Sequence, residues 1–213
     1  STQYLGILLI YPHTLSHVHP CQYFHQNLKK NWDSTSHMEN NLTTSLIGLN
    51  ALICGATSGI GKATAIEFTN LGANITLFAR NEDKLKDTLE LLKNNGNQNN
   101  QYLVGDFDNS EDIKSTIEKH INDGNQYHIL INNSGGPKGG PISSANSTDF
   151  VSAFNRHLIC NHILFQALHS GMKNYNYGRL INIVPASVKQ PIPGLGVSNT
   201  VRGAVASWSK TLS

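Results

Sequence analysis

The stretch "ALICGATSGIGKATAIEFTNLG", residues 51–72, decides the fold. Residues 51–54 form a short apolar run of the kind that becomes a buried strand. Gly55, Gly59 and Gly61 follow as G-x-x-x-G-x-G, with Thr57, Ser58 and Ile60 between them. Residues 62–72 then carry a helical period that closes at Gly72. A strand, a glycine turn and a helix in that order suit a pyrophosphate. Missing Cβ atoms let the backbone approach it, and the helix amino terminus stabilises its negative charge.

The same alternation continues outward. Residues 74–79 read as a β-branched strand, and residues 82–95 as a helix with Leu85, Leu89 and Leu92 on one face. Residues 101–106 make a third strand, followed by a helix opening near Ser110 with Glu111 and Asp112 in its first turn. Residues 128–133 are a fourth strand, and a long helix runs from about Thr148 to Asn174. Residues 179–184 are a fifth strand, and a last helix begins near Ser198. Apolar strands alternating with helices predict an α/β protein whose parallel sheet is covered on both faces. Right-handed crossovers make it doubly wound, a Rossmann-type fold, with ligands bound beyond the carboxyl ends of the strands.

Residues 1–45 read as an extension outside this pattern, and residues 1–37 hold no sustained period. His13, His17, His19, His25 and His37 cluster there around Cys21, but their spacing matches no compact zinc module, so no metal is expected. Met38 opens a run that resembles an ordinary start, so residues 1–37 are expected to be upstream sequence. The 213-residue chain carries 16 basic and 14 acidic residues with no basic block, giving no cause to expect a nucleic-acid or membrane partner. The apolar stretch Leu5–Tyr11 is too short to span a bilayer and lacks the basic flank of a signal peptide. Cys54 and Cys160 sit in apolar patterns, and with Cys21 they form an odd set suited to reduced thiols in a cytoplasmic protein.

The glycine spacing resembles that of the short-chain dehydrogenase/reductase family. "NNSGG", residues 132–136, is similar to that family's N-N-A-G, with Ser134 in place of alanine. Asp106 matches the family's acidic residue near the adenine ring, and "GRLINIV" and "ASWSKTLS" fall in the family's order. The resemblance covers about residues 46–213. It implies a nicotinamide dinucleotide held by Gly55, Thr57, Ser58, Gly59, Ile60, Gly61, Asp106 and Asn133, with Asn132 helping to join neighbouring strands. Arg80 stands at the end of the second strand, where a carboxylate would select the ribose hydroxyl of NAD. A guanidinium there can clamp a 2′-phosphate, so NADP(H) is the expected cofactor.

The family's chemistry is expected to use a tyrosine as proton donor, a lysine four residues later, a serine and an asparagine. A gapless match places Ser198, Arg202, Pro185 and His157 at those positions. Arg202 retains a cation for the nicotinamide ribose, while Ser198 is a weak, short acid. Ser187 lies two residues beyond Pro185 as a substitute polar contact, and His157 titrates in a useful range as proton donor. A divergent branch of the family, described as beta-ketoacyl-ACP-reductase-like, carries S-N-x-x-R here and a similar "SVKQPIPGLG" approach. The resemblance then implies a hydride transfer to or from a carbonyl or alcohol, a 3-oxoacyl thioester among the candidates. Two other readings stand beside it: a non-catalytic NADP-binding protein, and a fragment without independent function. Family members continue with further strands and much of an oligomer interface, so the C-terminal strands are expected to be missing. The full-length protein is expected to be a homo-oligomer. The fifth strand would then be a long apolar edge.

Overall fold

The computed structural model describes residues 45–92 and 98–212. Five strands alternate with helices: β1 (Asn50–Cys54), α1 (Gly59–Asn70), β2 (Asn74–Ala79), α2 (Glu82–Leu91), β3 (Gln101–Val104), α3 (Ser110–Asn122) and β4 (Ile129–Asn132). After β4 come α4 (Ser147–Phe154), a π-helical turn (Asn155–Ile159), α5 (Cys160–Asn174), β5 (Arg179–Asn182) and α6 (Gly196–Leu212). The sheet order is β3-β2-β1-β4-β5 and every pairing is parallel. This is the doubly wound sheet that the sequence predicts, with its order reversing at β1 beside the glycine turn.

The period-2 alternation of each strand divides the core between the two faces. Ile53, Ile75, Leu77 and Ile131 point to the side packed by Ala65 and Leu85, on α1 and α2. Leu52, Phe78 and Leu130 point to the side packed by Ile113, Ile117, Leu164 and Leu168, on α3 and α5. Asparagines start three of the helices: Asn81 Oδ1 accepts from Lys84 N at 2.9 Å, Asn109 Oδ1 from Asp112 N at 3.3 Å, and Asn146 N donates to Asp149 Oδ2 at 3.0 Å at the start of α4. Cys54 and Cys160 are free thiols buried in the second core.

Several boundaries depart from the periodicity. Helix α1 begins at Gly59, three residues earlier than expected, so the last two motif glycines lie inside its first turn. Helix α2 ends at Leu91 because Leu92 turns to extended backbone, and residues 93–97 lie outside the described residues. The expected long helix is broken by the π turn at Asn155–Ile159. Strand β5 spans only four residues, with Leu180 and Ile181 half-buried, so the long apolar edge is not found. The expectations for residues 1–44, including the histidine cluster and Cys21, lie outside the described residues. Among the described residues no helix is long and apolar enough to cross a membrane, and no metal-ligating cluster is found.

Candidate cofactor and active site

The glycine turn is built around Asn133. Its Nδ2 donates to Cys54 O and Gly55 O, each at 3.3 Å, tying the end of β4 to the β1–α1 turn. Gly55 has φ +59°, and a Cβ there would stand 2.6 Å from Asn133 O. A Cβ on Gly61 would collide with Gly55 O and stand 2.8 Å from Asn133 Nδ2. Gly59 differs: its φ is +53°, but nothing lies within 4 Å of where its Cβ would be. Ser58 caps α1 in extended conformation without a side-chain hydrogen bond, leaving the first-turn N–H groups to a ligand. Two glycines thus close the turn on its own backbone, and the third opens it. That cradle fits a dinucleotide's pyrophosphate, with Thr57 and Ile60 half-buried beside it.

At the end of β2, Arg80 leaves its side chain 72% exposed and 3.8 Å from Asp108 Oδ2. The same carboxylate accepts from Arg156 on the π turn, through Nε at 2.7 Å and also through the terminal nitrogen. Arg156 additionally donates to Gly135 O at 3.3 Å, in the loop after β4. Asp106 shapes the turn beneath: its Oδ1 accepts from Asp108 N at 3.1 Å.

Of the positions matched to the family's catalytic residues, Arg202 and His157 are brought to Ser134, after β4. Arg202 is 8% exposed; its guanidinium donates to Ile183 O at 3.2 Å and Ser134 O at 3.5 Å. Burial and the nearby Arg156 charge lower its pKa to about 10, which leaves it cationic at neutral pH. His157 is buried, and its Nδ1 lies 2.7 Å from Ser134 Oγ. Burial, then the charges of Arg202 and Arg156, lower its pKa to about 3. The expectation that His157 titrates in a useful range is therefore corrected: its environment keeps the imidazole neutral. Ser187 is also buried, with no hydrogen-bond partner for its hydroxyl among the described residues. Ser198 lies half-buried in the first turn of α6.

Beneath these groups Asn132 Nδ2 donates to Asn182 Oδ1 at 2.8 Å, joining β4 to β5 as expected. Asn182 Nδ2 continues to Ser209 Oγ at 2.7 Å on α6, and Asn161 Nδ2 reaches Asn182 Oδ1 at 3.5 Å. Sequence reasoning missed the Ser134–His157 contact. It noted both residues as departures from the family pattern, 23 positions apart, without pairing them.

A parallel sheet that reverses at an open glycine cradle defines a protein of the doubly wound α/β class. The chain belongs to the short chain dehydrogenase family, whose model matches residues 49–213. Glucose 1-dehydrogenase of Gluconobacter oxydans is 31% identical over 173 residues, covering 78% of this chain and 62% of that protein. The human protein described as inactive hydroxysteroid dehydrogenase-like protein 1 is 26% identical over 164 residues, covering 76% of this chain and 49% of its own. The structure of L-sorbose reductase from Gluconobacter frateurii, complexed with NADPH and L-sorbose, aligns with TM-score 0.75 at 26% identity. It covers 80% of this chain and 65% of that one. The chain thus spans less than two thirds of these relatives' lengths.

Proposed function

We propose that the protein transfers hydride between NADP(H) and a small carbonyl or alcohol substrate, a 3-oxoacyl thioester being one candidate class. When bound, the nicotinamide supplies or accepts the electron pair as hydride. The observation that carries the reading is the open Gly59 cradle, with the exposed Arg80 guanidinium at the end of the neighbouring strand. Gly55, Thr57, Ser58, Gly59, Ile60 and Gly61 would hold the pyrophosphate, Asp106 the adenine side and Asn133 the turn itself. Arg80 would hold the 2′-phosphate and Arg202 the nicotinamide ribose. Ser198 and Ser187 would contact the substrate's oxygen. The NADPH complex of L-sorbose reductase supports the choice of cofactor.

The test is a fluorescence titration with NADPH and NADH, followed by NADPH consumption with aldehydes, ketones and 3-oxoacyl thioesters. NADPH should bind more tightly and be oxidised by at least one class; a preference for NADH would remove Arg80 from its role. Tight binding without turnover would favour the second reading, a non-catalytic NADP-binding protein. Ser198 in place of an aromatic acid, and the relative described as inactive, are the observations on that side.

A cytoplasmic location belongs to the same proposal, supported by the reduced, buried Cys54 and Cys160. Homo-oligomerisation of the full-length protein is part of the same proposal, carried by the resemblance to the family alone. Light scattering of the purified protein tests the oligomeric state; a monomer at all concentrations would remove that part of the proposal.

A further inference from the structure

Ser134 and His157 replace two family residues, an alanine and an asparagine, and the fold brings their side chains to 2.7 Å. The pair stands at the reaction centre, because the Ser134 carbonyl accepts from Arg202 at 3.5 Å. Ser134 is half-buried at the end of β4, and a Cβ on Gly135 or Gly136 would meet nothing within 4 Å. It therefore stands at the carboxyl end of the sheet, beside two exposed glycines. His157 lies behind it, with Nε2 lacking a partner among the described residues. Ser187 is more deeply enclosed than Ser134, and Ser198 has no imidazole behind it in the hydrogen-bond pattern.

We infer that Ser134 and His157 form one proton-delivering unit, with His157 Nδ1–H donating to Ser134 Oγ and the Ser134 hydroxyl donating to the substrate oxygen. The inference rests on the reading of the site as a hydride-transfer centre. The tautomer follows from the ring's partners: Nε2 has no acceptor among the described residues, so the proton is placed on Nδ1, where Ser134 Oγ accepts it. A neutral ring can pass a proton by exchanging tautomers, without becoming imidazolium.

The substrate's carbonyl carbon gains hydride from NADPH, the reductant, and its oxygen gains the Ser134 proton as the Ser134 O–H bond breaks. Ser134 Oγ regains a proton as the Nδ1–H bond of His157 breaks. As that bond breaks, the buried Nε2 takes a proton from a water admitted to the site, a solvent proton neutralises the hydroxide left behind, and the ring, neutral in its other tautomer, regains the first by exchange.

The test combines a readout on the ring with kinetics. In ¹⁵N-histidine-labelled protein without cofactor, His157 is assigned by the signal lost in His157→Asn. Its ring should show a protonated Nδ1 and a bare Nε2 near neutral pH, and Ser134→Ala should shift that tautomer balance. With NADPH and a substrate identified as above, Ser134→Ala and His157→Asn should each lower kcat by about 10²-fold, the usual scale of a general acid. Their Kd for NADPH should stay within about twofold, since neither is placed on the cofactor phosphates. The double variant, which restores both family residues, should lose no more than the worse single variant. A tautomer unmoved by Ser134→Ala, an imidazolium at neutral pH, or losses that multiply in the double variant would overturn the inference. The ring readout decides without turnover, so a failure of the hydride-transfer reading would show separately, as absent NADPH binding or oxidation.

Discussion

Arg156 Nε donates to Asp108 Oδ1 at 2.7 Å, and that carboxylate also lies 3.8 Å from Arg80. One acidic group thus stands between the cation assigned to the cofactor phosphate and the π turn. Arg80→Ala should weaken NADPH binding by about 10- to 100-fold, the range for lost hydrogen bonds to a charged group, and leave NADH binding within about twofold. Asp108→Asn should tighten NADPH by a few-fold, because it removes a negative charge beside the incoming phosphate. Paired titrations of the two cofactors check both.

The three motif glycines should separate by kind of damage. Gly59→Ala meets open space, so its cost is the positive φ, about 1–2 kcal/mol, and its chief effect should be on cofactor binding. Gly61→Ala meets the Gly55 carbonyl and should destabilise the unloaded protein more than Gly59→Ala does. Melting curves with and without NADPH distinguish the two outcomes.

Acid should destabilise the protein through His157. Its pKa falls from 6.5 to about 3 on folding, so the unfolded chain takes up a proton that the folded chain refuses. The associated stability is complete above about pH 6.5 and is lost as pH falls toward about 3, with a slope of at most about 1.4 kcal/mol per pH unit. His120, His128 and His169 are lowered by burial too and act with the same sign. The stability difference between wild type and His157→Asn, measured by urea unfolding across that range, isolates the His157 part and should narrow as pH falls.

Asn182 joins β4, β5 and α6 through its side chain. Asn182→Ala leaves the buried Asn132 amide without its acceptor and should cost about 1–3 kcal/mol. Denaturant midpoints check this, and a variant as stable as wild type would show that Asn132 finds another partner.

Much of this fold is legible because its strands are buried on both faces and its helices carry one apolar stripe. "ALIC", "NITLFA" and the Leu85 helix could be placed from periodicity alone. The helix breaks were not legible: a π turn needs one extra residue per turn, which leaves the apolar pattern of residues 148–174 nearly unchanged. In the site, the glycines and Asn133 were readable because close backbone contact permits few residue types. His157 misled because sequence shows its ordinary titration and not its burial or the charges of Arg202 and Arg156. Its contact with Ser134 depends on how α4 returns to β4, a tertiary fact that no local spacing encodes.

The π turn has a further consequence. It sets Arg156 and His157 side by side, one bound to the carboxylate next to Arg80 and the other to the hydroxyl next to Arg202. A single helical turn therefore connects the surroundings of Arg80 with those of Arg202, the two cations proposed to hold the cofactor. Redesigning this protein for another reductant at Arg80 or Asp108 would disturb the support of Arg156, and with it the seat of the neighbouring imidazole. The two traits an engineer would most want to vary independently share one mechanical mount.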